Sequence, residues 1–169
     1  MTTNRSHTVT WADPMLTAGA ASGRTGVAFL RGILEGAIPP APIQALLGFD
    51  LVTIEEGLVR FRLVPREYHY NPMASVHGGV TSVLLDSAMA AAVMSQLDHK
   101  TGYTTVDLTV HMIRPITIKT GEVVAEGRVV HRGSRVATAE GKLVDLEGRL
   151  FAHASTTCLI IERAAAPGG

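Results

Sequence analysis

The stretch that most limits the fold is 77–96, where Ala, Val, Leu and Met occupy most positions. It contains no turn signals of the kind that separate the strands of a hairpin, so the pattern predicts one long helix. A helix that is apolar almost all round is buried. The rest of the chain must therefore supply a cover for this helix.

Runs of alternating polar and apolar residues predict the strands of that cover. Two runs precede the helix and four follow it. In the first of the four, Thr104, Val106 and Leu108 share the face that we assign to the helix. Strands with one apolar face have to bury that face, so we predict an α+β fold with one antiparallel sheet curled around the helix. The six ranges are 49–54, 58–64, 102–114, 121–131, 135–146 and 149–161.

The flanking sequence divides into segments of different character. Residues 1–24 are rich in Thr, Ser, Gly and Ala without periodicity, and we expect a mobile tail. Residues 25–47 predict a short amphipathic helix, which three closely spaced prolines end, and then one more helical turn. Residues 48–162 then form the main domain, and 163–169 form a C-terminal tail.

Composition excludes several classes of function. The 15 basic and 15 acidic side chains balance, which argues against broad nucleic-acid binding because that usually requires a basic excess. The single cysteine excludes an intrachain disulfide framework, and the histidines show no metal-ligand spacing, so we expect no metal. We find neither a secretory signal nor an apolar run that spans a bilayer comfortably, and we therefore expect a soluble, cytoplasmic protein without a membrane partner.

Two features of the long helix suggest chemistry. Asp86 is the one carboxylate within it, and a buried Asp is rare unless it is paired or functional. The run His77-Gly78-Gly79 opens the helix and leaves backbone N–H groups uncovered at the positive end of its dipole. An oxyanion hole requires donors of this kind. Taken singly, each feature also has a structural explanation, namely a hydrogen-bonded carboxylate and a closely packed turn.

The spacing of these features bears on how a site could form. Gly79 and Asp86 are seven residues apart, which places them on one face of the helix and about 10 Å apart along its axis. An oxyanion donor and a base must both come within about 3 Å of the reacting group, and one helix cannot offer both to the same carbonyl. Two copies related by a two-fold axis can. We therefore predict a composite site at a homodimer interface.

The combined pattern of Asn71, His77-Gly78-Gly79 and Asp86 resembles that of the phenylacetate-degradation-type (PaaI-like) thioesterases. The similarity covers about 45–162. The family has the hot-dog fold, a curved antiparallel sheet wrapping a helix, and forms dimers and commonly tetramers. The resemblance implies hydrolysis of acyl-coenzyme A to the free acid and coenzyme A, with no cofactor beyond the substrate itself. The matching segments continue through Thr104-Thr105, Ile113-Arg114-Pro115, 125–130 and 132–135.

The resemblance also implies a role for each catalytic position. Asp86 acts as nucleophile or general base, and the Gly79 N–H polarises the thioester carbonyl. His77 and Asn71 match supporting polar positions. Thr104 falls where relatives place a Ser or Thr that helps to orient the attacking water, although a Thr chosen for its β propensity explains the position as well.

Coenzyme A is expected at a second segment. The resemblance places its phosphates or pantetheine at the turn formed by Arg132, Gly133, Ser134 and Arg135, with Gly78 also contacting the substrate. Two guanidinium groups and free N–H groups at a turn make a fair phosphate site. A solvated hairpin tip is the alternative interpretation of the same residues.

Two other functions remain open from the sequence. A hot-dog hydratase or dehydratase would need an acid–base pair such as His77 and Asp86, but nine residues of helix place these two on opposite faces. A non-catalytic acyl-coenzyme A-binding protein would not need the acid. The acyl group itself, whether small aromatic, short-chain or medium-chain, is not readable from the sequence.

Overall fold

Six antiparallel strands form one curved sheet, in the order β1-β2-β4-β5-β6-β3, in the computed structural model of the protein, which describes residues 4–162. One long helix, α4, crosses the sheet, and three shorter helices precede β1. The helices are α1 (Pro14–Ala20), α2 (Gly26–Leu34), α3 (Pro42–Leu47) and α4 (Gly78–Ser95). The strands are β1 (Phe49–Glu55), β2 (Leu58–Leu63), β3 (Thr101–Met112), β4 (Val123–Arg132), β5 (Val136–Asp145) and β6 (Leu150–Glu162).

Helix α4 is the central helix that the sequence predicts. His77 caps its first turn, and Leu84, Leu85 and Met89 are fully shielded from solvent by the sheet. The helix is long and apolar enough to cross a membrane, but most of it is buried inside the fold, as the core helix of a folded domain is. The predicted α+β fold, a curved sheet around one helix, is confirmed.

Glycines allow α4 to lie directly on the sheet. A Cβ atom at Gly127 would collide with the backbone of Ala88, so the strand and the helix touch there through main-chain atoms. At Gly141 a Cβ atom would instead meet the side chains of Met89, 3.0 Å away, and Leu85, 3.2 Å away. The middle of the helix is therefore held against the centre of β4 and β5.

A β-bulge in β3 overturns one prediction about its faces. Val106 is an extra residue between Thr105, which pairs with Cys158, and Asp107. Because paired residues on neighbouring strands face the same side, Thr105 faces the buried side with Cys158. Thr104 is exposed and faces outward. The assignment of Thr104 to the helix face is therefore wrong, since the bulge shifts the alternation by one residue.

The N-terminal segment is more structured than the sequence suggests. Helix α1 forms within the expected tail, because Asp13 accepts a hydrogen bond from the Met15 N–H (2.9 Å) and a proline follows at the first helical position. Helices α2 and α3 fall within the predicted helical range 25–47. Residues 1–3 and the predicted C-terminal tail, 163–169, lie outside the described residues.

Candidate active site

Asp86 is partly buried on α4 and is held by a neighbour on β3. The Thr105 hydroxyl donates a hydrogen bond to Oδ1 of Asp86 at 3.1 Å. Thr104, which the sequence assigned to the helix face, makes no such contact because it faces outward. Thr105 was missed because only the bulge at Val106 turns it toward the helix, and alternation alone does not reveal a bulge.

Two weakly acidic side chains lie close to the Asp86 carboxylate. Burial raises the pKa of the Cys158 thiol, and the negative charge of Asp86 raises it further. Burial also raises the pKa of Tyr103, with added contributions from Cys158 and Asp86. Both groups therefore stay protonated near neutral pH, and a buried neutral thiol is a poor nucleophile. Asp86 is the group of this cluster that can act as a base or nucleophile.

The start of α4 differs from the expected arrangement of uncovered amides. The His77 Nδ1 atom accepts a hydrogen bond from the Gly79 N–H at 2.9 Å, so the His77 ring covers this donor. Within a single chain, the expectation of a bare Gly79 amide is therefore wrong. His77 itself is exposed, and its ring is not enclosed by the fold.

Two cavities lie beside the start of α4, and the site residues predicted there from the sequence are divided between them. Asn71 and Gly78 line a cavity of about 350 Å³. His77 and Gly79 line another, of about 420 Å³. The Asn71 side chain is used within its own loop, where it accepts hydrogen bonds from the N–H groups of Met73 (2.8 Å) and Ser75 (3.3 Å). Among the described residues, no hydrogen bond joins the Asn71 side chain to His77 or Gly79.

The turn predicted to bind coenzyme A lies on the Asp86 side of the fold. The Arg135 carbonyl accepts a hydrogen bond from the Ile160 N–H (2.9 Å), two residues along β6 from Cys158. The Arg132 guanidinium donates to the Gly133 carbonyl (3.2 Å). Ser134 and Arg135 are exposed. The turn thus presents two guanidinium groups to solvent.

The predicted residues therefore form two groups in one chain. One group surrounds the start of α4, and the other combines Asp86 with the 132–135 turn. Within the described residues, no cluster of three or more His, Cys, Asp or Glu side chains could hold a metal ion.

Comparisons with known proteins agree on the type of fold and activity. A family model described as "Thioesterase superfamily" matches residues 73–152. The "Putative esterase" of Halobacterium salinarum is 29% identical over an alignment 117 residues long, which covers 66% of this chain and 76% of that protein.

Solved structures give a similar result. The PaaI protein of the E. coli phenylacetic acid degradation operon matches with a TM-score of 0.70 and 20% identity, over 83% of this chain and 96% of its own. A phenylacetic acid degradation-related protein of Ralstonia eutropha matches with a TM-score of 0.70 and 26% identity, over 77% of this chain and 98% of its own.

The curved sheet around α4 and these structural matches define the chain as a hot-dog-fold protein. In sequence and in fold the chain is similar to PaaI-like thioesterases, the family that its sequence resembles.

Proposed function

We propose that the protein hydrolyses acyl-coenzyme A thioesters in a homodimer with two composite sites. The observation that carries this proposal is the position of Asp86 and Gly79 on one face of α4, seven residues apart. That spacing is about 10 Å along the helix, which is too long for both groups to reach one carbonyl. In each site, the partner's Asp86 meets Gly79 of the first chain.

The surface around β3 supports association with a second copy. Strand β3 is an edge strand, and its outer side pairs with no other strand in the described part of the chain. Val106, Leu108 and Met112 are exposed on it by 60%, 36% and 50%. A long edge strand with apolar side chains readily pairs with another chain. This pairing would also cover the half-buried face of α4 that carries Asp86.

The two chains contribute different parts of the chemistry. As the thioester carbonyl binds, the exposed His77 ring turns aside, and the Gly79 N–H donates to the carbonyl oxygen instead. The hydroxyl of the partner's Thr105 donates to Oδ1 of the partner's Asp86, within the same chain, and leaves Oδ2 for the reaction. Oδ2 takes a proton from a water molecule as that water attacks the carbonyl carbon.

In the last step of the reaction, the thiol leaves. The carbon–sulfur bond breaks, and the coenzyme A thiolate leaves with the proton that Asp86 holds, so that a free acid and a free thiol result. Direct attack by Asp86 is the second route, in which a mixed anhydride forms and is then hydrolysed by water. Either route requires the same carboxylate and the same amide.

Coenzyme A binds on the side of the site that Asp86 provides. The exposed guanidinium groups of Arg132 and Arg135 suit the phosphates, because Arg donates paired hydrogen bonds to phosphate oxygens. This turn and Asp86 belong to one chain, whereas Gly78 and Gly79 belong to the other. A single substrate therefore spans the interface, which gives the dimer a direct role in binding.

A hydrolysis screen of acyl-coenzyme A thioesters on wild type and Asp86→Ala tests the proposal. We expect free thiol from the wild type and a loss in kcat of about 10²-fold or more in the variant, with KM changed little. Glu140→Ala, an exposed acid on the outer face of β5, is the control and should keep full activity. Consumption of an enoyl thioester without release of thiol would instead establish a hydratase.

A further inference from the structure

Two histidine rings lie against each other on the outer face of the sheet, away from α4. His111 of β3 and His153 of β6 are direct cross-strand partners. The neighbours of His153 on β6, Ala152 and Ala154, are buried, so alternation places both histidines on the opposite, outer face. The two rings are stacked, with centroids 4.7 Å apart and planes inclined by 21°.

The nitrogen atoms of these rings are free to bind a ligand from solvent. Both residues are exposed. Within the described part of the chain, neither ring takes part in a hydrogen bond or an ion pair, and the stacking contact is their shared interaction. A neutral imidazole has one nitrogen with an available lone pair, which makes histidine a common metal ligand.

The separation of the rings suits a shared metal ion. A histidine nitrogen binds Zn²⁺ at about 2.0–2.1 Å, so two nitrogens on one tetrahedral ion lie about 3.3 Å apart. Rings whose centroids are 4.7 Å apart reach this separation by small rotations about their side-chain bonds, and exposed side chains rotate readily. Pairing of the two strands fixes the bases of both side chains. The two rings therefore form a nearly preformed chelate with two nitrogen donors.

The charges around the two rings permit a cation to bind. Lys142 of β5 is the cross-strand partner of His153, but its ammonium group contacts a Glu126 carboxylate oxygen (3.2 Å) on β4. It is therefore directed away from His153, and its charge is balanced. Asp107 and Glu140 are exposed on the same outer face and add negative potential there.

We propose that His111 and His153 bind one divalent transition-metal ion of the class of Cu²⁺, Ni²⁺ and Zn²⁺, with water as the remaining ligands. Imidazole suits these ions, whereas Mg²⁺ and Ca²⁺ select oxygen ligands. The two ligands lie on different strands, so the spacing of histidines along the sequence does not reveal them. The bound ion would tie the edge strand β3 to β6 through side chains. The site is independent of the proposed thioesterase function.

Calorimetric titration of the tag-free protein with NiCl₂ and ZnCl₂ tests the proposal. For wild type we expect one ion per chain. His111→Gln and His153→Gln should each weaken binding about tenfold or more, since even the loss of a group that supports a ligand costs about 10–100-fold. His131→Gln is the matched control, because His131 is an exposed histidine on β4 outside this pair, and it should bind like wild type.

Two results of the titration would overturn the proposal. One is an affinity for Ni²⁺ that is equal in wild type and in a folded His111→Gln or His153→Gln protein. The other is binding of Mg²⁺ as tight as that of Ni²⁺. If a Gln variant does not fold, Ni²⁺ is titrated into wild type and followed by NMR. This paramagnetic ion should broaden the ring signals of His111 and His153 before that of His131, and the reverse order would refute the site.

Thermal unfolding gives a second measurement that does not depend on activity. An ion that binds the folded pair stabilises the native state, so Ni²⁺ at about a hundredfold excess over its Kd should raise the Tm of wild type by about 5 °C. His131→Gln should show the same rise, and His111→Gln and His153→Gln should show much less. An equal rise in all four proteins would place the bound ion elsewhere and contradict the proposal.

Discussion

At the scale of single residues, the orientation of Asp86 depends on one hydroxyl group. Thr105 donates to Oδ1 of Asp86 at 3.1 Å from a strand that packs beside α4. A carboxylate on a helix can rotate about its side-chain bonds, and a fixed donor reduces that freedom. Hydrogen bonds to charged groups stabilise by about 1.5–3 kcal/mol. Thr105 is therefore a positioning residue for the carboxylate that we propose to react.

Replacing Thr105 by Val removes the hydroxyl and nearly preserves the shape of the side chain. We expect kcat to fall about tenfold with KM nearly unchanged, because an unanchored Asp86 reaches its reactive position less often. Thr105→Ser, which keeps the hydroxyl, should restore most of the rate. The comparison is made by steady-state kinetics on one acyl-coenzyme A substrate, with thermal unfolding to confirm equal folding.

Thr104→Val is the control that separates the two neighbouring threonines. The Thr104 side chain faces outward, so we expect the kcat of this variant to stay within about twofold of wild type. A larger loss in Thr104→Val than in Thr105→Val would contradict the assignment and restore the role that the family resemblance implied for Thr104. The choice between them could not be made from the sequence, because the strand pattern is the same whether or not Val106 is a bulge.

At the scale of elements, the close contact of α4 with β4 depends on the absence of a side chain at one position. A Cβ atom at Gly127 would overlap the Ala88 backbone, which cannot move without displacing the helix. At Gly141 the obstacles are the side chains of Met89 and Leu85, which can change rotamer. Substitution by alanine should therefore destabilise the fold more at Gly127 than at Gly141.

Gly127→Ala should reduce the free energy of unfolding by about 3 kcal/mol or more, at the upper end of the cost of overpacking. Gly141→Ala should cost less, about 1 kcal/mol, because Met89 is flexible. Urea denaturation of both variants measures the difference. Equal losses at the two positions would show that the helix shifts as easily as the methionine side chain.

His69 joins three elements near the start of α4. Its ring bonds the Leu47 carbonyl at the end of α3 and the Arg66 N–H, and its own carbonyl accepts from the His77 N–H (2.8 Å). Burial lowers the pKa of His69, and the nearby charges of His7 and Arg66 lower it further, although the bond to the Leu47 carbonyl opposes this. At the pH where the His69 ring of the unfolded chain begins to take up a proton, the same ring in the folded protein is therefore still neutral.

The free energy of unfolding should therefore fall as the pH is lowered through about 6.5, the value for an unperturbed histidine. The unfolded chain binds the proton first, and the loss continues until the native pKa is reached. His69→Gln should flatten this dependence between pH 8 and 5, whereas exposed His99→Gln should not. If the free energy of unfolding of His69→Gln still depends steeply on pH, another group causes that dependence.

Most of these elements could be predicted because their periodicity is long and regular. The helix predicted over 77–96 is α4, and each of its ends differs from the prediction by one residue. The ends of each predicted strand differ from the prediction by a few residues at most. Helix α1 was missed because its seven residues are too few to show a helical period, and only Asp13 and Pro14 mark its start. The cap from His77 to Gly79 was missed because it depends on a side-chain rotamer, which residue spacing does not specify.

At the scale of the whole molecule, one chain holds both halves of the proposed site but cannot join them. Asp86 and the 132–135 turn belong to one half, while His77, Gly78 and Gly79 belong to the other. In the proposed dimer, a two-fold axis would convert these halves into two complete sites, each with one half from each chain. Activity should therefore depend on dimer formation, and a defect in one half should be complemented by a chain whose defect lies in the other.

Asp86→Ala and Gly79→Pro test this directly. Gly79→Pro removes the backbone N–H at the second helical position, where proline is tolerated, and Gly79→Ala is the control that keeps the N–H. Each variant alone should be nearly inactive.

When the two variants are co-expressed with distinct tags, they should form mixed dimers in which one site carries both defects and the other carries none. We expect random pairing to restore about a quarter of wild-type activity, concentrated in doubly tagged dimers. Sites contained within single chains would give no restoration, because every chain in the mixture would carry a defect in its own site.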